Sequence, residues 1–425
     1  MKKRQVYFDN ASTTPLDKRA LKAMMPFFIE DYGNASNLYE SGRIARQAIN
    51  RSLEQISKAL HCRVDEFVFT GSATEADNLA ILGTARAHKN IGNKIIISAL
   101  EHKGVIAVGE ALEKEGFEVV KISVNENGLL DLDQFTKALD EKTIFVSITM
   151  ADSETGTLQP IAEISKIISD FRSNKKENKS LPYFHTDASQ ASVYEDVNVE
   201  RLGVDLMTLS AHKLRGPKGI GGLFVRKGCR LTPIIYGGGH QGRLRSGTEN
   251  VPAIVGFGLA MEINEKNKKK DFDKIFKIRN NLQKGIFKKI SKVVLNGHPT
   301  KRLPNFLNIS ILDIEGESLL LELDEHGIMI NTGSACNSES LEPSYVLSAF
   351  GNPYEFIHGS IRFTFGPENK MSDVNHVLKY LPKIVDRLRR ISPLNLSEGE
   401  KKVMSDPKAF IGGQTPHFLR KKMKK

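Results

Sequence analysis

The chain has 425 residues, 61 Lys plus Arg against 50 Asp plus Glu, 40% hydrophobic content and three cysteines. That length exceeds what one hydrophobic core usually supports, so two domains are expected, while the longest nearly uncharged apolar stretch, Pro252–Met261, is half of the roughly 20 residues a bilayer-spanning helix needs. Met1–Arg4 runs straight into polar residues, which argues against a cleaved signal peptide, and Cys62, Cys229 and Cys336 are too scattered for a disulfide framework or a cysteine-built metal site.

A reducing, cytoplasmic setting fits, with no metal and no membrane partner. The net charge of +11 is uneven: Asn264–Ile290 contributes +7, Ser397–Lys425 contributes +5, and the rest is −1. A solvated helix face and a basic, weakly ordered tail explain this; an acidic partner, RNA included, is the sharper alternative. No nucleic-acid motif accompanies the charge, so direct nucleic-acid binding is not expected.

From about Thr14 to Gly258, short β-branched runs alternate with amphipathic stretches of helical length, the pattern of a parallel sheet with crossover helices. Strands are predicted over Phe67–Thr70, Lys94–Ser98, Val119–Val124, Ile144–Ile148, Tyr183–Thr186, Leu206–Ser210 and Leu223–Val225, with helices such as Thr74–His88 and Lys103–Glu115 between them. Past Met261 come a long basic helical pattern, strands near Asn308–Leu312 and Ser360–Phe365, and a closing helix over Ser372–Arg389. The predicted architecture is α/β: a large domain over residues 13–260, a smaller α/β domain from residues 1–12 and 261–396, and a tail over 397–425.

Ligands of such sheets bind beyond the carboxyl ends of the strands, so the residues there matter first. After Thr70 come Gly71, Ser72, Ala73, Thr74 and Glu75, a small-residue turn into a helix whose free N–H groups suit a phosphate, although capping alone also explains Ser72 and Thr74. His102 follows the next strand; it could lie flat on a planar cofactor or be structural. Asp187, with Gln190 three residues on, could hold a pyridinium nitrogen in its protonated form or simply cap a helix.

Lys213 follows the strand ending at Ser210, at the floor of the crevice. A lysine there is a costly placement unless it reacts or pairs, and Schiff-base formation is its obvious use, although a lysine beside a glycine turn can also be simply solvent-exposed. Gly237–Gly242 satisfies G-x-G-x-x-G but is followed by Arg243, Leu244 and Arg245 rather than an apolar helix opening. It is read as a loop presenting Arg245, Ser246 and Thr248 to a phosphate. Cys336 sits in a polar stretch, Asn331–Ser340, where a nucleophile explains a cysteine better than a buried hydrophobe does.

Together these segments, SAHKLRGPKGIGGLFVR, GGGHQGRLRSGTEN, TDASQ, EHK and GSACNSESLEPSYVL, resemble the cysteine desulfurases, within the class V aminotransferase group of fold-type-I pyridoxal-phosphate enzymes. The likeness runs from about Tyr7 to Pro393 and includes the long cysteine segment of the subgroup that supplies sulfur for iron–sulfur clusters and tRNA thiolation. The resemblance implies a large domain with a mostly parallel seven-stranded sheet. It implies that Lys213 holds pyridoxal 5'-phosphate, that Asp187 pairs with the ring nitrogen, that Gln190 bonds the ring hydroxyl, and that His102 stacks on the ring and moves protons.

Phosphate contacts would come from Ala73, Thr74, Ser210 and His212, with Thr248 reaching across from a second copy in a homodimer. Arg362, with Asn34, would bind the substrate carboxylate. Sulfur would pass from L-cysteine to Cys336 as a persulfide, leaving L-alanine, and then to an acceptor protein. Ser153 stands where the family usually has a cofactor- and substrate-contacting asparagine, and Asp152 beside it is expected to add negative charge near the substrate carboxylate. The phosphate turn reads Gly71-Ser72 where Ser-Gly is usual. A selenocysteine lyase, another class V enzyme and a weakened sulfur-transfer scaffold are the alternatives.

Overall fold

The computed structural model describes residues 4–332 and 343–391. After the short strand β1 (Val6–Tyr7), seven strands build one sheet: β2 (Phe67–Thr70), β3 (Lys94–Ser98), β4 (Glu118–Ile122), β5 (Thr143–Ser147), β6 (Tyr183–Asp187), β7 (Leu206–Ser210) and β8 (Gly221–Val225). Their spatial order is β2-β8-β7-β6-β5-β3-β4. All neighbours from β7 to β4 run parallel, and only β8 in this sheet is antiparallel to both of its neighbours. These are the seven strands that the apolar runs predict, shifted by a residue or two at their ends.

The near-continuous apolar runs follow from burial on both faces, as a parallel sheet requires. In β3, Ile96 packs on one face with Phe135, Ile148 and Phe184, whereas Ile95 and Ile97 pack on the other with Leu79, Val105 and Val108. Each of these isoleucines is fully buried, worth at most about 1.5–3 kcal/mol apiece. Helices Ala73–His88 and Lys103–Lys114 begin just past the carboxyl ends of β2 and β3, where Ser72 accepts the Glu75 N–H and His102 accepts the Gly104 N–H.

The remaining strands are β9 (Val293–Leu295), β10 (Phe306–Ile311), β11 (Ile328–Met329) and β12 (Ser360–Thr364). β12, β10 and β9 form an antiparallel sheet, and β1 pairs in parallel with β11. A separate apolar core gathers Phe8, Ile278, Leu282, Ile309, Phe363 and Leu381 around this sheet. The basic pattern after Met261 belongs to a single helix, Val251–Lys289, that starts inside the large sheet's layers. Its first ten residues are mostly buried and Ile275, Ile278, Leu282 and Ile286 are buried again, so two apolar stripes separated by a charged stretch lie on one uninterrupted rod.

No helix among the described residues is long and apolar enough to cross a membrane.

Candidate active site

Every strand that runs parallel in the middle of the sheet ends at one edge, and the turns after them close around a cavity of about 710 Å³, inside the range of small-molecule sites. Its lining includes Ala73, Thr74, His102, Ser153, Asp187, Gln190, Ser210, His212, Lys213 and Arg362. Ten of the thirteen residues singled out in the sequence therefore line one cavity. Asn34 and Thr248 are exposed and do not line this chain's own cavity. Cys336 lies outside the described residues.

The turn after β2 is shaped by contacts on both sides. Ser72 caps the helix, Gly71 N–H donates to Glu75 Oε2 (2.8 Å), and the Thr70 hydroxyl donates to the Ser72 carbonyl (2.8 Å). β8 presses on the same turn, since a Cβ at Gly221 would lie 2.5 Å from Ser72 C and 2.6 Å from Ala73 N. The exchanged order Gly71-Ser72 thus still yields a capped helix with its first N–H groups turned to the cavity, and a serine cap is worth about 1 kcal/mol. Arg245 does not reach the cavity; its guanidinium pairs with Glu75 (2.9 Å), and Ser246 Oγ accepts the Gly239 N–H (3.2 Å). The glycine-rich loop therefore buttresses the phosphate turn of its own chain rather than contacting a ligand there.

Lys213 projects from the turn after β7 and donates from Nζ to the carbonyls of Ser12 (2.8 Å) and Ala11. Gln190 Nε2 donates to the same Ala11 carbonyl (3.0 Å). His212 meets Thr13 Oγ1 through Nδ1 (3.1 Å), and burial, then the neighbouring Lys213 and Lys218 charges, pull its pKa down to about 4. An N-terminal turn therefore supports three cavity residues that lie more than 170 positions later in the chain, a contact that local pattern reading could not find.

Asp187 ends β6 and accepts the Ser189 N–H (2.8 Å). Behind it, Asp77 is wholly buried with neither carboxylate oxygen hydrogen-bonded, and burial, then Asp187, push its pKa well above the usual carboxyl range. His185 lies 3.6 Å from Asp77, but burial pulls the imidazole down to about 3, so this contact joins two neutral groups rather than an ion pair. Glu101 Oε1 accepts the Thr149 N–H (2.8 Å), and burial followed by Asp187 raises its pKa to about 8. Burial thus holds the Asp77 and Glu101 carboxyls beside Asp187 above the ordinary carboxyl range.

On the opposite wall, Arg362 of β12 is 7% exposed. Its Nη1 donates to the Ser153 carbonyl (2.7 Å) and its Nη2 to Asp9 Oδ1 and Ser12 Oγ (2.8 Å each), while Nε is buried without a partner. The expectation for Asp152 is corrected. Its carboxylate is fully buried and turned into its own turn, accepting from Glu154 N (2.9 Å), Thr155 N (2.6 Å), Thr155 Oγ1 and Thr157 N (2.9 Å). An Asx-type turn consumes the charge, so it does not face the cavity.

The sequence reading missed Glu154, Lys103, Thr332 and Tyr345, which also line the cavity. Cys62 and Cys229 lie elsewhere, and burial pushes their thiols up to about 11 and about 12, so both stay protonated at neutral pH.

Comparison with known proteins places this geometry. The class V aminotransferase family model matches residues 6–377. The chain belongs to the class V aminotransferase family. Among its relatives, a cysteine desulfurase IscS of Dictyoglomus turgidum is 45% identical over 391 residues, covering 92% of this chain and 97% of that one. The IscS of Methanosarcina thermophila is 44% identical, covering 92% and 95%. A solved NifS-like protein superposes with a TM-score of 0.84 at 34% identity over 91% of this chain and all of its own, and SspA in complex with cysteine gives 0.74 at 31% over 86% and 99%.

This class V aminotransferase is a pyridoxal-phosphate enzyme. The cavity fits that cofactor on its own evidence. A helix N-terminus pinched by Gly221 offers N–H groups to a phosphate, the Asp187 carboxyl at the end of β6 suits a pyridinium nitrogen, and Lys213 stands at the floor.

Proposed function

We propose that the protein is a cysteine desulfurase that takes sulfur from L-cysteine, releases L-alanine and carries the sulfur as a persulfide on Cys336 for an acceptor protein. The observation that carries this reading is the position of the two ends of the Cys336 segment: Thr332 and Tyr345, on either side of residues 333–342, both line the cavity that holds Lys213 and Asp187. A chain extends at most about 3.6 Å per residue, so Cys336, four residues from Thr332, is tethered within roughly 14 Å of that wall. The other two cysteines are half-buried and do not line this cavity.

Bound pyridoxal phosphate supplies an electron sink that acidifies the substrate Cα proton and makes its sulfur electrophilic. Lys213 holds the cofactor, then takes the Cα proton on Nζ. Asp187 keeps the ring nitrogen protonated, Gln190 bonds the ring hydroxyl, and Ala73, Thr74, Ser210 and His212 hold the phosphate. Nδ1 of His102 accepts the Gly104 N–H (3.1 Å), which leaves the ring proton on Nε2, the edge available for proton transfer. Arg362, already fixed by Asp9, binds the substrate carboxylate from the cavity wall, and Asn34 assists.

The Cys336 thiolate then forms an S–S bond to the substrate sulfur while the Cβ–S bond breaks, its electron pair returning to the carbon skeleton. Protonation of that skeleton gives L-alanine. The sulfur passes to an iron–sulfur scaffold or a tRNA-thiolation enzyme. The same reading divides the chain into residues 13–260 and residues 1–12 plus 261–396, supported by the two separate apolar cores.

The reading also requires a homodimer in which Thr248 completes the phosphate site of the other copy. Exposed Phe28 (56%), Ile29 (69%), Tyr32 (77%), Leu38 (88%) and Tyr236 (72%) support it, because apolar surface of that extent marks a covered face. Changing Leu38 and Tyr236 together to Glu is expected to convert the dimer into a monomer by light scattering and to weaken cofactor retention at least about tenfold.

The deciding measurement is the absorbance of the purified protein before and after L-cysteine, with sulfide and alanine assayed in the same sample. A cofactor band that shifts on addition, with both products formed in equal amounts, is expected. A bound cofactor with turnover of selenocysteine but not cysteine overturns the substrate assignment, and no turnover of either overturns the enzymatic one.

A further inference from the structure

We infer that Glu154 is a positioning residue for sulfur transfer: by gripping Ser344 it fixes the downstream end of the Cys336 segment on the cavity wall. The inference rests on the desulfurase reading above and adds a residue to it. Glu154 lines the cavity and is 7% exposed. Its Oε2 accepts the Ser344 hydroxyl, its carbonyl accepts Asn308 Nδ2 (3.1 Å), and its N–H donates to Asp152 Oδ1 (2.9 Å).

The backbone of Glu154 is therefore locked by the Asp152 turn and by β10, and only its carboxylate reaches toward the segment. Ser344 does two jobs with one oxygen. It accepts the Leu347 N–H (3.1 Å), capping the helix Tyr345–Ala349, while donating its proton to Glu154. Next to it, the Tyr345 hydroxyl donates to the Glu101 carbonyl (2.8 Å), and Val346 and Leu347 pack with Leu100, Phe350 and Ile357. This short helix is pinned to the turn after β3 by those contacts and to the turn after β5 by Glu154.

Glu154 faces Arg362 and Lys103, with Asp152 behind it, and its carboxylate takes the Ser344 hydroxyl. The consequence is a separation of functions. Cofactor binding rests on Lys213, Asp187, Gln190 and the turn after β2, and the hydrogen bonds that fix Arg362 come from the Ser153 carbonyl, Asp9 and Ser12, whereas attack on the substrate sulfur depends on where Ser344 anchors the segment that carries Cys336. A displacement of about 1 Å in a reacting group can cost about 10²-fold in rate.

The test uses the full chain with its cofactor, comparing the parent with Glu154→Ala, Glu154→Gln and Ser344→Ala. The cofactor spectrum, its change on adding L-cysteine and the KM for L-cysteine are expected to stay within about twofold of the parent in all three. Persulfide formation on Cys336, followed in a single turnover by alkylation and mass spectrometry, should slow about 10- to 100-fold in Glu154→Ala and Ser344→Ala. Glu154→Gln, which keeps an acceptor oxygen, should recover most of the rate.

Ser344→Ala removes the same bond from the other side, so it decides the matter if Glu154→Ala does not fold. Persulfide formation at the parent rate in Ser344→Ala overturns the inference, as does loss of the L-cysteine spectral change in step with the rate. A parent that makes alanine and sulfide with no persulfide on Cys336 overturns the proposed function, and this inference with it.

Discussion

Lys213→Ala is expected to leave a folded protein that no longer holds its cofactor covalently and turns over L-cysteine at least about 10²- to 10⁴-fold more slowly, the usual contribution of a positioned proton-transfer group. The side chain occupies the floor of the cavity and is half-buried, with Nζ donating to the Ala11 and Ser12 carbonyls. Removing it therefore also leaves those carbonyls without a charged donor, a structural loss of the size of one charge-assisted hydrogen bond, about 1.5–3 kcal/mol. Lys213→Arg separates the two effects. The guanidinium keeps a cation near the carbonyls but cannot form a Schiff base, so it should restore thermal stability and not activity. Borohydride reduction followed by peptide mass spectrometry is the direct check: the parent should carry the cofactor on Lys213 and both variants should not. Parent-like turnover in either variant would sink the assignment.

The second large effect is expected for Cys336→Ala. It should bind cofactor and show the spectral change with L-cysteine, yet lose persulfide and sulfide release by at least about 10²-fold, since removing a nucleophile costs at least as much as removing an acid or base. Neither remaining cysteine can substitute, because the Cys62 and Cys229 thiols are held protonated by burial at pKa values of about 11 and about 12. Cys336→Ser should be equally inactive, as an alcohol cannot accept sulfur at neutral pH. Full sulfide release from Cys336→Ala would show that sulfur leaves without a protein carrier.

How far the chain could be read without coordinates depended on the range of each signal. The strands from Phe67 to Val225 carry their own evidence, because burial on both faces demands apolar runs and the turns after them carry small and reactive residues. Lys213, Asp187 and the Gly71–Thr74 turn were legible for that reason. Asp9, Ala11 and Ser12 were not, since their roles arise from contacts with residues about 180 to 350 positions away that no local period encodes. Asp152 was misjudged because composition reports a charge but not the four donors that absorb it. The domain boundary at residues 260/261 falls inside helix Val251–Lys289 because its apolar stripe lapses between Met261 and Ile275, where lysines replace the core without breaking the backbone.

The pairing of β1 with β11 also sets a schedule for biosynthesis. Val6 and Tyr7 join Ile328 and Met329, so β1 waits for more than 300 further residues before its partner exists. The carbonyls of Ala11 and Ser12 that seat Lys213, and the Asp9 carboxylate that steadies Arg362, hang on that late strand. A nascent chain can therefore assemble the large sheet early, but the seat of Lys213 is completed only once β11 has been made. Closing so long a loop is slow relative to local folding. The reactive centre is thereby withheld until the chain that must control it has been made.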